Sequence, residues 1–243
     1  MAYKISLNYS PNFDSKKRKK NQIKYLIIHY TGMKSENAAI KRLTDVKSNV
    51  SCNYLIKKNG DIIIMVPDLY SAWHAGKSSW KNYQSLNKSS IGIEIANPGH
   101  SHGYKQFSNF QIISLIKLSK FLIKKYKINL KNILGHSDIA PERKKDPGEK
   151  FPWKKLASFN LAIWHKISET NLKKNRLKKL RQTDEIKFLK YLYTFGYKEI
   201  EELNWNLNKK IITKAFQRRF RQSLINGIPD KECLLIIKNL LKS

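Results

Sequence analysis

Residues Ile91–Ala96 (IGIEIA), closed by Asn97-Pro98-Gly99, are the stretch from which the fold can be read. Isoleucine at every second position reads as a strand, and the Asn-Pro-Gly triplet ends it. Period-2 alternation sends Ile91, Ile93 and Ile95 to one face, with Gly92 and Glu94 on the other. A carboxylate in the middle of such a strand is costly unless it faces a polar cleft or a partner.

Working outward, Tyr25–Ile28 (YLII) reads as a short buried strand with His29 just past its end. Ala38–Lys47 is helical in pattern. YLIKK and DIIIMV flank Asn59-Gly60, which predicts two strands joined by a two-residue turn. Phe110–Tyr126 carries Ile112, Ile113, Leu115, Ile116, Leu118, Phe121, Leu122 and Ile123, the pattern of a long helix with a broad buried face. Ile133–Leu134 is a further short strand leading to His136, and a loop rich in Pro and Gly runs on to Pro152-Trp153. Strands interleaved with helices predict an α/β fold with a mixed central sheet flanked by helices.

The composition changes near residue 170. Asn171–Gln182 (NLKKNRLKKLRQ) is half basic and reads as a linker or an exposed basic helix. Three short helical segments follow, Asp184–Phe195, Lys209–Gln222 and Asp230–Leu241, broken at Gly196-Tyr197 and at Asn226-Gly227-Ile228-Pro229, with Asn208 and Asp230 as N-caps. The expected organisation is therefore an α/β domain over 1–170, a basic linker over 171–182 and a small three-helix domain over 183–243.

The 243 residues include 48 Lys and Arg against 18 Asp and Glu, a net charge of +30. Such a balance favours anionic partners: nucleic acid, a membrane surface or a carboxylate-bearing polymer. The lysines are scattered rather than striped, which compositional bias explains equally well. No helix-turn-helix, RNP or zinc-finger pattern is present, and Lys173–Arg181 is the only local support for nucleic-acid binding, so that partner is not expected. No run approaches the roughly 20 apolar residues of a membrane span. The first twenty residues also lack the apolar core of a signal peptide, and the chain reads as soluble. Cys52 and Cys233 form no C-x-x-C pattern and read as ordinary buried thiols.

Of the six histidines, His29 and His136 each follow a core strand, where α/β sheets place ligand-binding groups. Asp146 lies a short loop beyond His136. Two imidazoles and a carboxylate suit zinc and leave its fourth tetrahedral position for water. Spacing alone does not separate this set from two satisfied histidines. Glu94 adds a reason for a catalytic metal, as a general base whose pKa partial burial would raise. Gly92 beside it would leave room for substrate backbone. The rival pair, His100-x-His102, sits between Asn97-Pro98-Gly99 and Gly103 and reads as a loop at the rim of a groove.

These residues fall within YLIIHYTG (Tyr25–Gly32), VSCNYLIKKNGDI (Val50–Ile62), AWHAGKSSW (Ala72–Trp80), SIGIEIANPG (Ser90–Gly99) and GHSDIAPERKKDPGEKFPW (Gly135–Trp153). In that order and spacing the stretches resemble the zinc N-acetylmuramoyl-L-alanine amidases of the amidase-2 group, which includes AmpD- and AmiD-type enzymes and the peptidoglycan recognition proteins. The resemblance runs from about Tyr25 to Leu156 and is strongest to the AmiD type. It implies zinc ligands at His29, His136 and Asp146, a catalytic glutamate at Glu94 and an active-site lysine at Lys144, with Lys145 next to it. It also implies a substrate groove lined by Trp73 and His74, with Ala75, Asn53 and Arg143 in contact with substrate. Arg143 and Lys145 would keep Asp146 ionised and attract the carboxylates of a stem peptide. One departure is visible: many relatives carry V-S-x-H-Y, where this chain has Asn53 before Tyr54. An amide there can hydrogen-bond substrate but cannot carry charge.

KAFQRRFR (Lys214–Arg221) followed by NGIPD (Asn226–Asp230) resembles the three-helix peptidoglycan-binding module. The implied activity is zinc-dependent hydrolysis of the amide between the muramoyl or anhydromuramoyl lactyl group and L-alanine, with peptidoglycan or muropeptides as partners. The alternative is a non-catalytic peptidoglycan receptor, whose kind typically lacks a zinc ligand. For location, the binding module points to the bacterial envelope or periplasm, and the missing leader to a cytoplasmic recycling role.

Overall fold

The computed structural model describes residues 4–242. In chain order among these residues the strands are β1 (Ile5–Leu7), β2 (Phe13–Asp14), β3 (Tyr25–Tyr30), β4 (Tyr54–Ile56), β5 (Ile62–Ile64), β6 (Ser71–Ala72), β7 (Ser79–Trp80), β8 (Tyr83–Gln84), β9 (Ser90–Ile95) and β10 (Ile133–Gly135). The α-helices are α1 (Glu36–Thr44), α2 (Asn109–Tyr126), α3 (His136–Ile139), α4 (Trp153–Ser158), α5 (Glu169–Asn175), α6 (Gln182–Phe195), α7 (Trp205–Phe220) and α8 (Lys231–Leu241). The main sheet runs β1-β5-β4-β9-β3-β10. Only β4 and β5 pair antiparallel, so the sheet is mixed.

One face of the sheet carries Leu26, Ile28, Ile91, Ile93 and Ile95, all fully buried against Ile112, Leu115, Leu118 and Leu122 of α2. Burying each of these side chains stabilises the fold by about 1.5–3 kcal/mol. A reciprocal capping box between Ser108 and Gln111 starts α2, and the Gln111 amide donates to Ala96 O (2.8 Å), which fixes the helix over the end of β9.

The opposite face is covered by the C-terminal helices. Tyr25, Ile27 and Leu134 share one apolar cluster with Phe188, Leu192, Ile212, Phe216 and Ile237. The basic stretch ahead of α6 is not extended throughout, because α5 occupies part of it and buries Leu172. Arg176 then pairs with the fully buried Glu232 at 2.7 Å, attaching this stretch to α8. At the join, Arg219 Nη1 meets Asp138 Oδ2 (2.7 Å), Arg219 Nη2 donates to Ile133 O (2.8 Å) and Tyr197 Oη donates to Asp138 Oδ1 (2.7 Å). The C-terminal helices thus grip the end of β10 and α3.

Three local expectations are corrected. The β4–β5 connection has a three-residue loop over 58–60: Lys57 N donates to Asp61 O (2.8 Å), and Gly60 sits at φ 89°. A glycine in the left-handed region is what such a bulged hairpin requires. β3 continues through Tyr30, because its parallel pairing with β9 persists to Ile95, so His29 lies inside the strand. The N-cap of α7 is Asn204, whose side chain accepts from Leu207 N, and Asn208 is buried inside the helix. The first turn of α7 exposes Trp205 and Leu207, so it falls outside the apolar stripe that marks the rest. Asp230 does cap α8, accepting from Cys233 N. Cys52 and Cys233 are buried free thiols. Among the described residues no helix is long and apolar enough to cross a membrane.

Candidate metal centre

The register of β3 against β9 sets His29 directly opposite Glu94, on the face away from the isoleucines. β10 lies parallel on the other side of β3 and ends at Gly135, and His136 opens α3 there. The chain then returns: Ser137 N donates to Asp146 O (2.8 Å), which brings the aspartate under the histidines. Gly135 permits this return, since a Cβ there would lie 2.7 Å from Pro147 Cδ.

Three donor atoms converge. His29 Nδ1 and His136 Nδ1 are 2.9 Å apart, and Asp146 Oδ2 lies 3.0 Å from the first and 3.1 Å from the second. All three residues are buried, and among the described residues they alone form a group of this kind. His100 and His102 occupy a short turn at the cleft rim, where His100 bonds the Tyr30 hydroxyl (2.8 Å) and Glu149 (3.1 Å).

The surrounding hydrogen bonds assign the protons. Ser90 Oγ lies 2.6 Å from Leu86 O, which can only accept, so the hydroxyl proton goes there. Ser90 Oγ must then accept from His74 Nε2 at 3.1 Å. That leaves His74 Nδ1 to accept from His29 Nε2 at 3.0 Å. His29 Nδ1 is therefore a bare lone pair. For His136, Nε2 donates to Ala75 O (3.1 Å), and its Nδ1 is bare as well. Two lone pairs and a carboxylate oxygen within about 3 Å repel one another unless a cation lies between them. Outer hydrogen bonds that fix the tautomer of each histidine are the usual support of a metal site. The residues therefore fit a bound zinc ion by the chemistry of the donor set.

Electrostatics agree. Burial and the neighbouring His136 push His29 down to about 4, against the pull of Asp146, so the ring is neutral at physiological pH. Burial pushes Asp146 up, but the two imidazoles beside its carboxylate outweigh this and hold it well below the usual carboxylate range, so it enters the site ionised. Glu94 is raised to about 8 by burial and by Asp146, with Lys144 acting against both. Its Oε2 is buried without a hydrogen-bond partner. Glu94, Lys144, Trp73 and the donor pair His136 and Asp146 all face one cleft of about 470 Å³.

Other expected substrate contacts are placed differently. Asn53 is fully buried; its Oδ1 accepts from Gly92 N (3.0 Å) and its Nδ2 donates to Val66 O (3.1 Å), so it holds β9 rather than substrate. Ala75 is buried and acts through its carbonyl on His136. Arg143 does line the cleft, while also donating to Ala75 O (2.5 Å) and Lys77 O (3.0 Å) of the 75–77 loop. His74 touches the cleft but stands chiefly behind His29. The space beside Gly92 is filled by its ring: a Cβ at Gly92 would lie 2.4 Å from His74 Cγ. Trp73 lines the cleft and donates from Nε1 to Asp14 Oδ1 (2.8 Å). Sequence reasoning missed Ser90, Asn87 and Asp138. Asn87 Oδ1 accepts from His74 N and Ala75 N, and it sets the loop that carries both. No local pattern marks these residues, because the contacts that matter, Ser90 and Asn87 with His74 and Asp138 with Tyr197 and Arg219, join segments distant in sequence.

The chain was compared with known proteins. The family model described as N-acetylmuramoyl-L-alanine amidase matches residues 19–149. The N-acetylmuramoyl-L-alanine amidase AmiD of Escherichia coli is 37% identical over 233 residues, covering 91% of this chain and 83% of that protein. The 1,6-anhydro-N-acetylmuramyl-L-alanine amidase AmpD of Haemophilus influenzae is 32% identical over 167 residues, covering 61% of this chain and 88% of that protein. Among solved structures, E. coli AmiD in complex with the substrate anhydro-N-acetylmuramic acid-L-Ala-D-γ-Glu-L-Lys superposes with a TM-score of 0.81 at 34% identity, over 91% of this chain and 89% of that one.

Proposed function

This chain belongs to the N-acetylmuramoyl-L-alanine amidase family, and from that premise we propose that it hydrolyses the amide joining the lactyl group of N-acetylmuramic acid to L-alanine, using one zinc ion held by His29, His136 and Asp146. The observation that carries the reading is the buried, unpartnered Oε2 of Glu94, on the strand position opposite His29. A structural carboxylate would have a partner; a proton acceptor needs a free oxygen facing the reacting water.

Zinc bound there supplies Lewis-acid activation of water and of the substrate carbonyl. Glu94 takes the proton of the attacking water at its unpartnered Oε2. The water oxygen bonds to the lactyl carbonyl carbon, and the Lys144 ammonium faces the negative charge that develops on the carbonyl oxygen. The C–N bond then breaks, and Glu94 returns its proton to the L-alanine nitrogen as the amine leaves. Lys144 is favoured over Lys145 for this role because its charge acts on both Glu94 and His29.

The intact ligand triad together with Glu94 disfavours a non-catalytic receptor. The C-terminal helices favour wall polymer at the envelope as the working substrate, because the alignment with AmiD runs through them while that with AmpD spans a smaller share of the chain. Digestion of intact sacculi and of soluble anhydromuropeptides in parallel, with and without chelator, tests the reading. Chelator-sensitive release of L-alanine-terminated peptide from sacculi is expected, and Glu94→Gln should abolish release while retaining zinc. Turnover near wild type in Glu94→Gln would refute the role of Glu94.

A further inference from the structure

Beside the catalytic cleft runs a second groove of about 380 Å³, formed where α7 meets the 141–149 loop. The two depressions adjoin, with His100, Arg143, Lys144 and Lys145 forming the wall between them. The groove wall from α7 carries Lys214 and, one turn on, Arg218.

Arg218 differs from its neighbours. Arg219 is matched to Asp138 and Ile133 O, and Arg221 to Asp230 and Glu232. Arg218 is only 9% exposed, yet its guanidinium has no hydrogen bond or ion pair among the described residues. Glu149, which with Glu142 also lines the groove, acts on the Arg218 charge but bonds His100 instead at 3.1 Å. With no protein acceptor among the described residues, the Arg218 donors are left to the groove it lines, and holding a largely desolvated charge there costs stability that an uncharged side chain would not. Retaining it on a groove wall makes sense when an anion arrives to complete it.

We propose that this groove is an anion subsite of the enzyme, in which the Arg218 fork receives a carboxylate of the stem peptide beyond L-alanine while Lys214 and Lys145 flank it. The inference rests on the amidase reading above. A planar guanidinium offers parallel donors that match the two oxygens of a carboxylate, which is the geometry Arg supplies and Lys does not. The groove also lies on the side of the cleft where Lys144 stands, so a peptide extending from the scissile amide can pass over that wall into it. The C-terminal helices therefore contribute to substrate recognition at the active site itself, besides any contact with polymer elsewhere.

The test uses the zinc-loaded full chain and two substrates: anhydro-N-acetylmuramoyl-L-Ala-D-γ-Glu-L-Lys and the same compound with both carboxylates amidated. Wild type should prefer the acid by about tenfold to a hundredfold in kcat/KM, mainly through KM, the range expected for a charged hydrogen-bonded pair. Arg218→Gln should lower that preference about tenfold and leave Tm unchanged or higher, since a buried unpaired charge has been removed. Lys214→Gln provides a second, half-exposed position and should lower the preference by a smaller factor. Equal kcat/KM for acid and diamide in wild type, or an undiminished preference in both variants, overturns the groove assignment while leaving the amidase reading standing. Failure of wild type to cleave either compound overturns both.

Discussion

Replacing Gly92 with alanine tests the metal centre without removing any functional group from it. A Cβ at this position would lie 2.4, 2.6 and 2.7 Å from Cγ, Cδ2 and Nδ1 of His74. Carbon atoms in contact sit at about 3.5–4.0 Å, so the ring must retreat by about 1 Å. The bond from His29 Nε2 to His74 Nδ1 is 3.0 Å long and would open to about 4 Å, beyond hydrogen-bonding range. His29 then loses the acceptor that keeps its proton on Nε2 and its Nδ1 lone pair free. Loss of such outer support typically weakens metal binding about 10- to 100-fold. Overpacking adds about 1–3 kcal/mol of destabilisation. Zinc affinity measured by competition with a chromophoric chelator, alongside thermal melts in excess chelator, separates the two effects. His74→Ala, which removes the acceptor without strain, should give a comparable loss of affinity. Zinc affinities within about twofold of wild type in both variants, with the fold intact, would refute the proton assignment.

Further outcomes are expected. Lys144→Ala should lower kcat about 10²- to 10³-fold, the usual loss on removing an oxyanion donor, and Lys145→Ala much less; the reverse order in steady-state kinetics would move the role to Lys145. Arg219→Met leaves the Asp138 carboxylate buried without its cation and should cost about 3–5 kcal/mol in urea unfolding. Because Asp138 also accepts from Gly135 N, next to His136, zinc affinity should fall with it. In metal-free protein, Glu94 binds its proton up to about pH 8 when folded but only to about 4.5 when unfolded. Wild-type stability therefore contains a contribution present below pH 4.5 and lost as pH rises to about 8, at up to about 1.4 kcal/mol per unit. The stability advantage of Glu94→Gln over wild type in chelator should grow across that window, and a pH-independent difference in melting temperature would contradict it.

Much of the scaffold was legible from residue patterns because the patterns are local. Alternating isoleucines mark β9 and the apolar stripe marks α2, since a strand or helix must bury one face whatever its partner. The faces of β9 were assigned correctly for the same reason: Glu94 looks away from the isoleucines because backbone pleat alone dictates it. Local errors came where tertiary pairing extended or displaced an element, as at His29 inside β3 and at the Asn204 cap of α7.

The grouping of His29, His136 and Asp146 was suggested by chemistry and by family resemblance, but their meeting within about 3 Å depends on parallel register and on the return of the chain past Gly135. The duties of the surrounding residues were decided only in three dimensions. Asn53 and Ala75 look like substrate contacts in a linear motif, yet Asn53 spends its amide on backbone and Ala75 its carbonyl on His136. The same holds for the C-terminal helices: composition separates them from the α/β domain, but the sheet has two apolar faces and α2 can cover only one. By itself the sequence determined the strand faces, the main helices and the candidate donor residues. Tertiary structure alone decided which histidine tautomers meet, which polar side chains remain free for substrate and how the second face is covered, because hydrogen bonds and packing between distant segments have no signature in local order.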